Sequence, residues 1–180
     1  MNDHVMLDLE TFGVRSNSVI LTIGAVQFDP AGGALGESFH CAIDVKESVA
    51  HGLRLDPSTV LWWLQQSDVA RSALLKKVEV AHGLLSTLDA FRAFLGRVSP
   101  NAKVWGNGAD FDLALLQQAY EAVGQEKPWR YNASRCYRTL YSEFGTEADR
   151  VRPELAHDAL SDAVAQAKTA QNIYRRLKGG

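Results

Sequence analysis

Three strand-like segments at the N-terminus, joined by short connections, limit what this chain can fold into more than anything else in it. In residues 5–9, Val5, Leu7 and Leu9 point to one side and Met6, Asp8 and Glu10 to the other, the period of two of a strand. Residues 20–28, ILTIGAVQF, are rich in β-branched side chains and predict a second strand. Asp29-Pro30-Ala31-Gly32-Gly33 turns the chain, and residues 34–43 supply a third. Short links and a glycine-rich turn predict an antiparallel meander.

Helical signals follow. Asp56-Pro57 reads as an N-cap with proline at the first helical position, opening a helix to about residue 66, and Ser67 opens another. Ser86-Thr87-Leu88-Asp89 resembles a capping box ahead of Leu88, Phe91, Leu95 and Val98 on one helical face. Residues 103–105 form a strand leading into Gly106-Asn107-Gly108. A helix over 111–123 stops at Gly124. A fifth strand is predicted at 129–131, helices at 134–144 and 159–177, and a mobile loop at 146–153. Three strands, then helices alternating with two more, make a layered α/β domain with a mixed sheet.

With 46% apolar and 22% charged residues, 180 residues can bury one core, so a single domain over 1–180 is expected and a disordered chain is excluded. No run reaches membrane-spanning length, and Met1-Asn2-Asp3-His4 lacks a secretory start, so the expected address is the cytoplasm with no membrane partner. Cys41 and Cys136 have no CxxC pairing and read as free thiols of a reducing compartment. A net charge of −2 advertises no polyanion partner.

The chemistry lies in three acidic clusters. Asp8 and Glu10 share a strand face about 6.6 Å apart, close enough for both carboxylates to reach one ion; a solvated strand end shows the same pattern. Gly106-Asn107-Gly108-Ala109-Asp110-Phe111-Asp112 sits between a strand and a helix. Its GxG lacks the third glycine of a dinucleotide loop, and its acids are equally suited to plain helix capping. In His157-Asp158-Ala159-Leu160-Ser161-Asp162, a five-residue separation puts His157 and Asp162 about 140° apart on a helix. The two can converge if His157 sits on the preceding loop and Asp162 one turn inside the helix, with Asp158 as the cap.

Taken in order, DLET, GNGADFD and His-x4-Asp resemble the three motifs of the DEDDh 3′–5′ exonucleases of the ribonuclease H-like fold, over residues 8 to 162. ILTIGAV and WWLQQ are closest to the RNase T-like, phage DexA-like branch. The resemblance implies a five-stranded sheet, three antiparallel strands then two parallel, flanked by helices. It implies Asp8, Glu10, Asp112 and Asp162 as metal ligands and His157 as the base. Relatives often read GHNANFD, so Asn107 stands at a histidine position and Asp110 at an asparagine.

Such chemistry suits these residue types. Two Mg²⁺ or Mn²⁺ ions about 3.5–4 Å apart can activate water and steady the leaving oxygen, and hard ions want the oxygen ligands that four carboxylates provide. With the acids matched by two divalent ions, the rest of the chain is mildly positive, which suits single-stranded nucleic acid. An imidazole can both accept and release a proton, which suits His157 to the role of general base. His4, His40, His51 and His82 show no metal-ligand spacing.

Thr11, Phe12 and Asn107 are candidate substrate contacts, Phe12 either stacking on a base or joining the core. Trp62 and Trp63 cannot share one helical stripe, so one packs and the other, taken as Trp63, leans over the cleft. Arg130, Arg135, Arg138, Arg150 and Arg152 could hold phosphates or form a solvated face. The resemblance also admits a homodimer. The expected activity is release of 5′-mononucleotides from the 3′ end of single-stranded DNA or RNA. The rival readings are a structure-selective endonuclease of the same fold, a silent nucleic-acid-binding module and a nucleotide hydrolase without a phosphate loop.

Overall fold

A computed structural model describes residues 3–108 and 110–179; Met1, Asn2, Gly180 and Ala109 of the second acidic cluster lie outside the described residues. Five strands form one sheet: β1 (His4–Thr11), β2 (Ile20–Phe28), β3 (Ser38–Ala42), β4 (Lys103–Gly106) and β5 (Ser134–Cys136). Their order is β3-β2-β1-β4-β5. β1 pairs antiparallel with β2 and β2 with β3, whereas β1–β4 and β4–β5 are parallel, as the mixed-sheet expectation required.

The helices are α1 (Val45–Ala50), α2 (Pro57–Leu64), α3 (Asp68–Val78), α4 (Leu84–Val98), α5 (Asp112–Ala122), α6 (Tyr137–Phe144) and α7 (Ala159–Leu177), with a 3-10 turn at Glu147–Asp149. Among the described residues, no helix is long and apolar enough to cross a membrane.

The alternation of β1 divides the interior. Val5, Leu7 and Leu9 join a core with Leu88, Phe91 and Leu95 of α4 and Leu113, Leu116 and Tyr120 of α5. Met6 faces the other way, into a core with Val26, Phe28, Trp105 and the Ala163, Ala167, Ala170 and Ile173 stripe of α7. Asp8 and Glu10 follow Met6 on that second face, so the central strand leads from apolar packing directly to carboxylates. The small stripe on α7 lets the helix lie close to the sheet. Gly24 of β2, opposite Asp8, is the point of nearest approach: a Cβ there would sit 2.1 Å from the Leu160 amide nitrogen.

Several boundaries differ from expectation. The fifth strand is Ser134–Cys136, not 129–131. Trp129 is instead a buried plug against Tyr120, and the chain turns from Arg130 to Ala133 before pairing with β4. The helix predicted from 134 therefore starts at Tyr137, capped by Cys136 Sγ accepting from the Thr139 amide. The third strand shortens to its paired residues. The Ser86–Asp89 capping box is not used, because α4 opens three residues earlier on Gly83 without a side-chain cap. α1 was not anticipated, although Asp44, which accepts from the Glu47 amide at 2.7 Å, was a readable cap.

Residues 146–153 are pinned rather than a free loop. Thr146 and Asp149 form a capping box, Arg176 bonds Asp149 at 2.9 Å, and the Val151 amide donates to Thr169 at 2.9 Å.

Candidate active site

β1 carries Asp8 and Glu10 to the end of the sheet. Glu10 pairs opposite Thr22, and the ladder slips immediately beyond, between Glu10 and Thr11. Such a bulge re-aims the chain where pairing ends. α7 brings Asp162 from the other end of the sequence: Asp158 caps the helix, accepting from the Ser161 amide at 2.9 Å, and Asp162 lies one turn in. One carboxylate oxygen from each of Asp8, Glu10 and Asp162 lies within 4.8 Å of the others.

Asp112 stands beside this trio, at the first residue of α5. It is 1% exposed, and its Oδ2 accepts from the Asn107 amide at 2.6 Å. Gly106 makes room for it, since a Cβ there would come within 3.0 Å of the Asp112 Cβ. The glycines and Asn107 of the GNG turn thus shape a seat for this carboxylate.

All four acids are held above their ordinary range, and burial is the largest cause for each. Asp8 is raised well above it, with Asp112, Glu10 and Asp162 adding repulsion and a Gln166 hydrogen bond opposing. Glu10 is pushed to about 8 by burial and then by Asp162, while Lys77 pulls the other way. Asp112 reaches about 6, burial being opposed by backbone N–H groups, including that of Asn107, and by Arg138. Asp162 is raised by burial, with His157 opposing.

Four carboxylates, buried at Glu10 and Asp112 and half-buried at Asp8 and Asp162, thus converge with little positive charge from the chain to offset them. Closely spaced, hard oxygen donors of this kind fit a divalent cation such as Mg²⁺ or Mn²⁺, and form a poor environment for a soft metal.

His157 lies on the loop before α7, as the spacing required. Its backbone is left-handed, φ 59°, a conformation that histidine adopts more readily than most side chains. The ring meets Trp62 and Trp63 edge-on, at centroid distances of 5.1 and 6.1 Å. Lys77 of α3 bonds the Asp158 carboxylate beside it, and His40 Nε2 approaches the same carboxylate at 3.9 Å.

A cleft of about 490 Å³ opens next to the acids, lined by Leu9, Glu10, Thr11, Trp62, Trp63 and Phe111 among others. The tryptophan that leans into it is Trp62, 41% exposed. Trp63 is 5% exposed, because its indole N–H is drawn inward to the Thr11 carbonyl at 2.9 Å. The Thr11 hydroxyl donates to the Gly13 carbonyl at 2.7 Å. Phe12 is half-buried against the main core and is not brought to the cleft wall. Asp110 lies exposed in the turn before α5.

The arginines separate. Arg135 donates to the carbonyls of Asn132 and Ser134, and Arg150 and Arg152 face Glu147 at 3.6 and 3.7 Å. Arg130 is exposed. Arg138 approaches the acidic turn: its guanidinium carbon is 3.9 Å from where a Cβ on Gly108 would lie. Sequence reasoning missed Gln166, whose Nε2 donates to Asp8 Oδ1 at 2.8 Å, and Lys77. Gln166 was legible as the residue one helical turn beyond Asp162; nothing near Lys77 in the sequence marks it.

Residues 3–174 match the model of the 3′–5′ exoribonuclease Rv2179c-like domain. No curated protein matches the chain in sequence. Among solved structures, Escherichia coli exonuclease I in complex with a dT13 oligonucleotide superposes with a TM-score of 0.69 at 14% identity, over 98% of this chain and 42% of that one. Its complex with a dA16 oligonucleotide gives 0.65 at 17% identity, over 98% and 41%. The zinc-bound form of its single-stranded DNA complex gives 0.67 at 16%, over 97% and 41%. At these identities the likeness is one of fold. The chain spans about two fifths of the length of those exonuclease I chains.

Proposed function

The chain belongs to the Rv2179c-like 3′–5′ exoribonuclease family, within the DEDDh exonucleases, and from that premise we propose that it removes 5′-mononucleotides from the 3′ end of single-stranded RNA or DNA. The observation that carries this reading is the convergence of Asp8, Glu10 and Asp162, from opposite ends of the chain, within 4.8 Å and beside buried Asp112. We take the unit to be a single domain over 1–180, working in the cytoplasm, alone or as a homodimer.

In this reading Asp8, Glu10, Asp112 and Asp162 hold two Mg²⁺ or Mn²⁺ ions. When bound, these supply Lewis-acid stabilisation of the phosphodiester and make water nucleophilic near neutral pH. His157, whose ring meets the two tryptophans that line the cleft, would take a proton from the attacking water. The Asn107 amide fixes the Asp112 carboxylate through Oδ2. Trp62 offers its exposed face for stacking of the terminal base, an interaction tolerant of base identity. Arg138, whose guanidinium approaches the acidic turn at Gly108, grips a backbone phosphate with its planar fork.

The test uses 5′-labelled RNA and DNA oligonucleotides, with free or blocked 3′ ends, in Mg²⁺ or Mn²⁺. A one-nucleotide ladder, lost with the 3′ block and with chelator, is expected. Internal cuts, or binding without cleavage that survives chelator, would refute the reading.

A further inference from the structure

Asp158, the N-cap of α7, is followed at every fourth residue by Asp162 and Gln166, which share one stripe of the helix. The first caps the helix and the second joins the acidic trio. Gln166, at 8% exposure, donates from Nε2 to Asp8 Oδ1 at 2.8 Å. The stripe thus reaches across to the central strand and makes a second contact with the centre, through an amide.

The ionised form of Asp8, which is the form that can ligate a cation, accepts only, so toward it the amide must present its NH₂. The Gln166 Oε1 is then buried with no hydrogen-bond partner among the described residues, a desolvation cost tolerated in order to keep the donor in place. The chemistry of the donor matters as much as its direction. A lysine or arginine here would orient Asp8 but cancel the charge that attracts a cation. A hydrocarbon would leave the carboxylate free to rotate, and a second carboxylate would repel it. An amide orients without neutralising.

Resting on the metal-centre reading above, we propose that Gln166 is a positioning residue that fixes the plane of the Asp8 carboxylate and thereby sets the cation affinity of the site. Removing an outer partner of a ligating group typically weakens metal binding by about 10–100-fold. The same loss is expected here, because Asp8 lies on β1 between neighbours that repel it.

The experiment measures Mn²⁺ binding to the full chain by calorimetry and by the electron paramagnetic resonance signal of the free ion, without nucleic acid. It compares the wild type with Gln166→Met, which keeps the length and loses the donor, and with Gln166→Asn, which keeps the amide but draws it back by one methylene. Both variants should bind Mn²⁺ about 10–100-fold more weakly, with melting temperatures in chelator near that of the wild type. Saturating Mn²⁺ should restore most of kcat. A folded variant of either kind with wild-type Mn²⁺ affinity overturns the proposal, since a residue that merely packs would change melting and leave affinity alone. If Gln166→Met does not fold, Gln166→Asn decides. Wild-type protein that binds no Mn²⁺ would overturn the metal-centre reading itself, and is told apart from the first failure because it appears before any substitution.

Discussion

Glu10 gives the sharpest quantitative test of the acidic centre, because its ionisation is opposed by the fold itself. Its carboxyl is pushed from an ordinary 4.5 to about 8, by burial first and the Asp162 charge second. The folded chain therefore holds this proton more tightly than the unfolded chain does. Below pH 4.5 both states are protonated and Glu10 contributes nothing to pH dependence. From 4.5 to about 8 the unfolded chain ionises and the folded chain does not, so stability falls as pH rises, by about 1.4 kcal/mol per pH unit. Above 8 the penalty is constant. The gap sets its ceiling at about 5 kcal/mol.

Glu10→Gln removes the ionisation and keeps the shape. In chelator, it should match the wild type near pH 4.5 and be the more stable protein at pH 9. At about 2–4 °C per kcal/mol for a chain of this size, the ceiling corresponds to a difference on the order of 10–20 °C in Tm. The variant keeps a shallower slope, since burial raises Asp8 and Asp112 in the same sense. Circular-dichroism melts of both proteins between pH 4.5 and 9 measure it. Saturating Mn²⁺ should flatten the wild-type profile by favouring the ionised form. A wild-type profile in chelator that is flat across this range, or runs parallel to that of Glu10→Gln, would refute the reasoning.

Three further outcomes are expected. His157→Ala should slow turnover by about 10²–10⁴-fold while Mn²⁺ affinity, read by calorimetry, stays at the wild-type level. Trp62→Ala should raise KM for oligonucleotides with little change in Tm, whereas Trp63→Ala, which empties a buried site and frees the Thr11 carbonyl, should cost about 3–5 kcal/mol in chemical denaturation. Gly24→Ala puts a Cβ 2.1 Å from the Leu160 amide nitrogen, so α7 must retreat; a loss of about 1–3 kcal/mol in stability and weaker Mn²⁺ binding are expected together.

What the sequence disclosed followed from how local each determinant is. β2 and α7 could be bounded to the residue because period and punctuation lie within them: ILTIGAVQF ends at Asp29-Pro30, and Asp158 caps its own helix. The loop position of His157 came from helical angle alone. β5 escaped because Trp129, an aromatic suited equally to a strand and to a core plug, was taken for the strand, and only pairing with β4 selects Ser134–Cys136. Gly83 opens α4 without a side-chain cap, so that start left no mark.

The choice between Trp62 and Trp63 turned on a carbonyl, that of Thr11, which lies 52 positions away in the chain. Asp112 was legible as a cluster member, but not its separate seat on the Asn107 amide. Lys77 reaches Asp158 from 81 positions away, a distance at which no spacing rule applies.

The two halves of the centre hang from different parts of the molecule. Asp8, Glu10, Asp112 and Asp162 are mounted on the middle strand and on helices packed against it, and move only if the interior moves. His157 hangs from a left-handed loop gripped by the paired indoles of α2, with Lys77 of α3 latched to its neighbour Asp158. On the reading proposed above, a change at the α2 indoles acts on the base while the carboxylates keep their places, whereas Lys77 touches both halves, because its charge also acts on Glu10. The indole pair is thus the place where the speed of the proposed reaction could be separated from the loading of the ions it would need.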